Sequence, residues 1–196
     1  MTEGTSRLEA FSDGVFAIAI TLLILEIRPP DAGVESSLWH HLVALWPSYV
    51  AFALSFFVIL VTWIVHHDLV RLIRATTQPV LLANGFALFY VTFIPFPTAV
   101  LAAHLEGAEA TTAVAFYCGT FVVGSAAFNL LVEAIARGQL CRPDVDAQAI
   151  ARIRHGFRIT FVVYLAATAI ALVAPYVALA INVAVRVHLL RIRYHL

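Results

Sequence analysis

The chain has 196 residues, of which 62% are hydrophobic and 12% charged, and its formal net charge is zero. A water-soluble domain of this size lacks the interior to bury so much apolar surface, so the composition predicts an integral membrane protein. The balanced charge gives no reason to expect nucleic acid as a partner, and the two cysteines have neither the number nor the spacing of a disulfide framework or a metal site, so no cofactor is expected.

Six apolar runs predict an all-α protein with six transmembrane helices. At about 20 residues per span, the length leaves room for short loops only. The runs cover residues 11–27, 42–65, 79–103, 111–135, 159–173 and 175–190. Because the fifth and sixth meet at Ala174 and Pro175, they should form a tight helical hairpin, and the charged loop at 137–158 offers an amphipathic start to the fifth helix. Without a repeat or linker, residues 1–196 are expected to form a single transmembrane domain.

The first run begins with charged and hydroxyl residues. Ser6 and Glu9 have the spacing of a capping box, which predicts a helix start near Ser6. Arg7, Phe11 and Asp13 should then lie in the first turns of a membrane helix, where Arg and Asp are costly unless they are paired. A juxtamembrane anchor followed by an ordinary span is an equally weighted alternative.

Three aliphatic residues on the first helix share one face. Ile18, Leu22 and Leu25 stand at i, i+4 and i+7, with Thr21 alongside. If this face lined a pore, the side chains would form a hydrophobic constriction that excludes water. On spacing alone, contact with lipid or with another helix is the commoner outcome for such a face.

Polar residues at the junction of the second and third runs offer partners for the start of the first. Trp63 and His67 share a helical face, and Asn84 opens the third run. They lie at the same predicted membrane depth as Ser12 and Asp13, so contact across the bundle is possible. Interfacial Trp and His are also common without any such role.

Two patterns concern helix geometry further along the chain. Pro95 and Pro97 should kink the third helix and free backbone carbonyls that need other donors. In the fourth helix, Asn129 and Glu133 are one turn apart, and Glu133 can pair with Arg137 a further turn on. We interpret that pairing as structural.

The distribution of arginine predicts the orientation. Six spans place four segments on one side of the membrane: the one before run one, the one between runs two and three, the one between runs four and five, and the one after run six. These segments contain ten of the arginines, namely Arg7, Arg71, Arg74, Arg137, Arg142, Arg152, Arg154, Arg158, Arg191 and Arg193. The opposite side contains Arg28 with Glu26, Asp31, Glu35, Glu106 and Glu109. By the positive-inside rule both termini are predicted to be cytoplasmic, and an odd number of spans would destroy this pattern.

The start of the first run resembles a known signature. Arg7-x-x-x-Phe11-Ser12-Asp13 is similar to the RxxxFSD motif of the transmembrane protein 175 family in its prokaryotic form. The resemblance continues in order through Trp63-x-x-His66-His67, Asn84 and Pro95-Phe96-Pro97-Thr98, and so covers essentially the whole chain.

This resemblance implies a potassium-permeable cation channel without a P-loop filter, and no TVGYG-like sequence occurs. Prokaryotic members have one six-helix unit per chain and assemble as homotetramers, with the first helix of each subunit lining the pore. By the family pattern, Ile18 forms the narrowest constriction, Leu22 and Leu25 continue it, and Thr21 occupies the position linked to ion preference.

The resemblance further implies that the motif residues Arg7, Phe11, Ser12 and Asp13 connect the first helix to the second and third, with Trp63, His67 and Asn84 as partners. The expected partners of the protein are K+, other monovalent cations and membrane lipids. Members differ in their preference for potassium over sodium, and some animal relatives conduct protons. The single-repeat form implies a bacterial inner membrane.

Two alternatives from other classes stay open at this point. A secondary transporter would relay protons through Asp13, His67 and Glu133, although no inverted repeat is detectable. An intramembrane enzyme would use His66, His67 and Asp68, but that cluster lacks a nucleophile at workable spacing, so we do not expect an enzyme.

Overall fold

A computed structural model describes residues 3–30 and 37–191, apart from the side chain of Glu3. Within these residues the fold is all-α, as predicted. The helices are α1 (Glu3–Leu22), a 3₁₀ segment (Leu23–Glu26), α2 (Leu38–Ala44), α3 (Trp46–Arg71), α4 (Gln78–Phe93), α5 (Pro95–His104), α6 (Ala110–Arg137), α7 (Ala147–Ala171) and α8 (Pro175–Arg191). Asp31, Glu35 and Arg193, which entered the orientation argument, lie outside the described residues.

The predicted kink in the third run is confirmed. α4 ends at Phe93 and α5 begins at Pro95, because proline supplies no backbone N–H to continue the helix. In an unbroken helix residue 95 would donate its N–H to the Val91 carbonyl; here the Ile94 N–H donates to that carbonyl instead, at 3.2 Å. The carbonyl freed by Pro95 is therefore not left unpaired inside the bundle.

Two predicted boundaries are wrong. α1 begins at Glu3, so Ser6 lies inside the helix and the capping box does not mark its start. The second run is divided between α2 and α3, because Pro47 sits in the first turn of a helix that begins at Trp46.

The amphipathic start expected for the fifth helix within 137–158 is confirmed. α7 begins at Ala147, and its N-cap is Asp146, whose side chain accepts a hydrogen bond from the Gln148 backbone N–H.

α6 is the central helix of the bundle. It packs against α4, α5, α7 and α8, while α1 packs on α3 and α4. Tyr117 and Phe121 of α6 are fully buried at its core. Gly124 lets the ring of Tyr90 approach so closely that a Cβ atom there would stand 2.3 Å from Tyr90 Cζ. α7 and α8 form the predicted tight hairpin, with residues 172–174 between them.

Four helical segments among the described residues are long and apolar enough to cross a membrane: Gly4–Glu26, Trp46–Arg71, Gln78–His104 and Ala110–Arg137. α7 carries three arginines in its first half, and α8 has 17 residues. Length and composition alone thus select four segments, and the count of six stays a prediction.

A short backbone pairing closes the arginine-rich end of the bundle. The Arg142 N–H donates to the Leu72 carbonyl at 2.8 Å, and the Arg74 N–H donates to the Leu140 carbonyl at 2.9 Å. The Arg142 guanidinium also donates twice to the Asp144 carboxylate. This ion pair lowers the pKa of Asp144 below its usual value.

Candidate functional site

α1 has two faces with opposite surroundings. One face is buried against the rest of the chain and consists of Leu8, Ser12, Phe16 and Ala19, continued by Leu23 of the 3₁₀ segment. The other face is bare, and its large apolar side chains Phe11, Ile18, Leu22 and Leu25 are 65, 61, 43 and 67% exposed. Among residues 3–30 and 37–191, contacts therefore hold α1 from one side only.

The bare face forms a continuous row. Phe11, Ile18 and Leu25 repeat every seven residues, which keeps them near one line along a helix. Thr21 lies on the same face, where its hydroxyl donates back to the carbonyls of Ala17 and Ile18, both at 2.9 Å. Its oxygen lone pairs are thus left as acceptors on the outer side of the helix.

Three buried polar side chains fix the opposite face of α1, and we call them the anchor cluster: Ser12, His66 and Asn84. Ser12 Oγ donates to the Leu8 carbonyl at 2.8 Å and accepts from Asn84 Nδ2 at 3.1 Å. Asn84 Oδ1 in turn lies 2.7 Å from His66 Nε2, which donates to it. The cluster joins α1, α3 and α4 by side-chain hydrogen bonds in a part of the bundle that is fully buried.

Two further contacts attach α1 to α3 nearer the surface. The Trp63 indole N–H donates to Asp13 Oδ1 at 2.8 Å. His67 Nδ1 stands 3.2 Å from Glu9 Oε1, but this atom has no aligned hydrogen bond, so the contact is electrostatic and depends on protonation of the imidazole. The rings of Trp63 and His67 lie 5.7 Å apart, which leaves both facing α1.

The structure brings together most of the predicted motif network. Ser12, Asp13, Trp63, His67 and Asn84 converge between α1, α3 and α4. Arg7 and Phe11 do not join them: both are exposed, and Arg7 forms no salt bridge with a described residue. The two motif residues instead point to the bare side of α1.

Two contributors were missed from the predicted network, namely His66 and Glu9. The signal for His66 was its helical phase, since it follows the buried positions Ile59 and Thr62 at the spacing of a helix. Glu9 was placed in the capping box, and its true position one turn before Asp13 became evident only when the helix was found to begin at Glu3.

The chemistry of the site is that of a helix anchor beside an apolar wall. Within residues 3–30 and 37–191, no group of three or more His, Cys, Asp or Glu side chains could hold a metal ion. Cys118 and Cys141 are free thiols, and burial raises the pKa of Cys141. The part of α1 that is available for contact with an ion or another molecule is therefore its bare face.

Comparisons with known proteins agree on one family. Residues 7–95 match the family model described as endosomal/lysosomal potassium channel TMEM175. The chain is 39% identical to a potassium channel of Chamaesiphon minutus over 180 residues, covering 90% of this chain and 89% of that one. It is 40% identical to a potassium channel of Streptomyces collinus over 178 residues, covering 90 and 86%. The crystal structure of a Chamaesiphon minutus homolog of the lysosomal potassium-selective channel TMEM175 superposes with a TM-score of 0.86 at 36% identity over 98% of both chains.

Proposed function

Because the chain belongs to the TMEM175 family, we propose that it is a potassium-permeable cation channel and not an enzyme. The relatives named as potassium channels match it along about nine-tenths of its length, so the proposal concerns the whole chain. The channel is a homotetramer of single-domain subunits, each with six spans, and lies in a bacterial cell membrane among lipids. Both termini face the cytoplasm, on the side that carries most of the arginines.

The bare face of α1 is the observation that carries the proposal. Ile18 and Leu25 are more than 60% exposed although the same helix is closely anchored on its other side. The exposed row of large aliphatic side chains lies on a helix that α3 and α4 hold in place from the other side. Such a row can pack against the same row of other subunits around a common axis. Four copies would then enclose a pore lined by these residues, with no need for a P-loop filter.

The barrier to ions in this pore is hydrophobic. Rings of Ile18, Leu22 and Leu25 narrow the pathway and exclude water, so a cation cannot cross until the rings widen. Thr21, whose oxygen lone pairs face outward, is the polar position among them and influences the preference between K+ and other monovalent cations. Conduction therefore depends on small displacements of α1.

The contacts of α1 determine how such displacements reach the pore. Trp63 and the anchor cluster join α1 to α3 and α4, so the three helices move together. A change in the packing of α3 or α4 is then transmitted to Ile18 without any direct contact. This gives Ser12 and Asp13 of the motif a mechanical role in the channel.

A proton relay through Asp13, His67 and Glu133 receives no support from the geometry. Asp13 and His67 lie at the contact between α1 and α3, where they pair with Trp63 and Glu9. Glu133 instead lies at the contact between α6 and α7, where Arg137 and Arg154 donate hydrogen bonds to it at 2.8 Å. The coupled transporter remains the competing outcome of the experiment that follows.

The test is the reversal potential of purified protein in planar bilayers with potassium on one side and sodium on the other. We expect a potassium-biased reversal in the wild type and a larger current in Ile18→Asn, because a polar ring holds water in the constriction. The matched control is Leu165→Asn on α7, a leucine that is 53% exposed on a helix outside the pore. It should leave the current unchanged.

Two results would contradict the proposal. Saturable flux without channel-like current, unaffected by Ile18→Asn, would favour a transporter and remove α1 from the pathway. An equal increase in current in Ile18→Asn and Leu165→Asn would keep the channel but displace the constriction from α1.

A further inference from the structure

A cavity of about 500 Å³ lies between α7, α8 and the inner helices α3, α4 and α6. Its inner end is lined by Thr62, Tyr164 and Arg186, and its other end by Arg152 and His188, where α7 begins and α8 ends. The wall between them is largely apolar and includes Ile153, Phe157 and Leu189. The volume is within the range of small-molecule sites in proteins.

Arg186 at the inner end is a buried cation without a counter-charge. The residue is 5% exposed and forms no salt bridge with any described carboxylate. Its guanidinium donates to Thr62 Oγ1 at 2.9 Å and to Tyr90 Oη at 3.4 Å, and it lies 5.2 Å from the centres of the Phe121 and Tyr164 rings. Aromatic faces reduce the cost of burying the cation but supply no negative charge. A charge kept in this position in a membrane protein is evidence for a site.

Unpartnered polar atoms surround the same end of the cavity. Arg186 Nε, Tyr164 Oη and Ser125 Oγ are buried and have no hydrogen-bond partner among the described residues. All three residues line the cavity. Burying a polar atom without a partner is unfavourable, so three such atoms beside a cation with no described counter-charge indicate a missing anionic acceptor.

We propose that this cavity binds an apolar monoanion, meaning a molecule with one carboxylate, sulfonate or phosphate ester on an apolar body. The anionic group takes the charge of Arg186 and accepts from Tyr164 Oη and Ser125 Oγ. The body lies along Phe157, Ile153 and Leu189 towards the mouth, where Arg152 attracts anions from the arginine-rich side. Because the inner end holds one cation, the site favours a ligand with one negative charge. The apolar wall favours a ligand whose remaining part is apolar. This site does not depend on which ion the protein conducts.

The experiment measures binding to the full-length protein in nanodiscs of zwitterionic lipid by isothermal titration, with empty nanodiscs subtracted. The probe is decane-1-sulfonate, which stays ionised; 1-decanol is the neutral analogue and methanesulfonate the head group without a body. We expect the sulfonate to bind about tenfold tighter than either, as a charged hydrogen bond in a buried site allows.

Two kinds of variant test separately the charge of Arg186 and the volume of the cavity. Arg186→Gln should abolish the preference for decane-1-sulfonate over 1-decanol, while Arg191→Gln, an exposed arginine of the same helix, should retain it. Gly156 lines the cavity, and a Cβ there meets nothing within 4 Å. Gly156→Leu should therefore occupy the cavity and weaken binding about tenfold, and Gly156→Ala should not.

Equal affinity for decane-1-sulfonate and 1-decanol in the wild type would overturn the proposal, as would a preference that survives Arg186→Gln. Binding of methanesulfonate as tight as that of the probe would reduce the site to one for small inorganic-type anions and overturn the apolar part. If Arg186→Gln does not fold, the wild-type preference and the Gly156 pair decide the question by themselves.

Discussion

Two buried polar clusters lie beside α3, and they differ in one respect. In the anchor cluster, Ser12, His66 and Asn84 bond to one another and join α1 to its neighbours. In the cluster around Arg186, three polar atoms have no partner and the charge has no counter-ion among the described residues. The two regions are linked by neighbouring residues of α3. Trp63 donates a hydrogen bond to Asp13 of α1, and Thr62 accepts a hydrogen bond from Arg186 of α8.

The difference separates two uses of polarity inside a membrane protein. A closed set of hydrogen bonds fixes helices relative to each other, since any displacement would leave a polar group unpaired in an apolar medium. An open set does not gain enough from structure alone to justify its burial, and it therefore points to a ligand. Variants of both clusters test this distinction, and we order them by expected effect.

The largest effect is expected from Gly124→Ala, which would break the second cluster. The new Cβ would stand 2.3 Å from Tyr90 Cζ, so the ring and the helices around it must shift. We expect the free energy of unfolding in mixed micelles to fall by about 3 kcal/mol, the upper part of the range for overpacking. Gly156→Ala, at an open position of α7, is the control, and an equal loss in both would exclude overpacking as the cause.

The next effect compares Asn84 of the anchor cluster with Asn182, which lies one turn before Arg186 on α8. Asn84→Ala leaves His66 Nε2 unpaired and detaches Ser12, so the free energy of unfolding should fall by about 2 kcal/mol. Asn182 of α8 donates only to Cys118 Sγ and to its own helix, and its Oδ1 has no partner. Asn182→Ala should cost about 1 kcal/mol or less. A larger loss for Asn182 would contradict the distinction between closed and open sets.

A smaller effect is expected at the half-buried edge of the α1 contacts. Trp63→Phe keeps the aromatic ring but removes the N–H that donates to Asp13 at 2.8 Å. The free energy of unfolding should fall by about 1 kcal/mol. Trp46→Phe, at an exposed tryptophan of the same helix, should have no such effect, and a loss of equal size there would mean that the indole itself, rather than its bond to α1, is responsible.

The smallest effect concerns the exposed pair of Arg142 and Asp144, outside both clusters. The guanidinium lowers the pKa of Asp144, so its stabilisation is present above the unfolded carboxyl pKa and is lost as pH falls through the folded one. Wild type should therefore melt slightly higher than Arg142→Gln at neutral pH, and the difference should disappear in acid, once the pH falls below the lowered pKa of Asp144. A difference that persists in acid would show that the pair does not act through its charge.

Much of the fold was predictable, because hydropathy and proline positions respond to local physics. The break before Pro95 and the hairpin at Pro175 follow from the lack of a proline N–H. The start of α7 at Ala147 lies within the charged stretch 137–158, where an amphipathic beginning was expected, although hydropathy by itself places the apolar run only from residue 159. The division before Trp46 was missed because both sides of the break are apolar.

The candidate site was predictable where a motif marked it and not elsewhere. Ser12, Asp13 and Asn84 carry a recognisable pattern, whereas His66 required knowledge of which face of α3 is buried. Arg186 was not singled out, although an arginine inside the apolar run 175–190 was the signal. Its unpaired state depends on which side chains meet across five helices, and no spacing along the chain contains that information.

The 3₁₀ segment at Leu23–Glu26 has a consequence for the bare row of α1. Its four residues are overwound relative to the α-helix before them, and the Ile27 N–H bonds the Ile24 carbonyl three residues back. Relaxing the segment to α geometry would shorten it by about 2 Å and turn its far end by about 80°. The anchor cluster fixes the direction in which Ile18 points around the axis of α1. Leu25 lies in the 3₁₀ segment, so a change from 3₁₀ to α geometry would turn Leu25 around that axis while Ile18 keeps its direction.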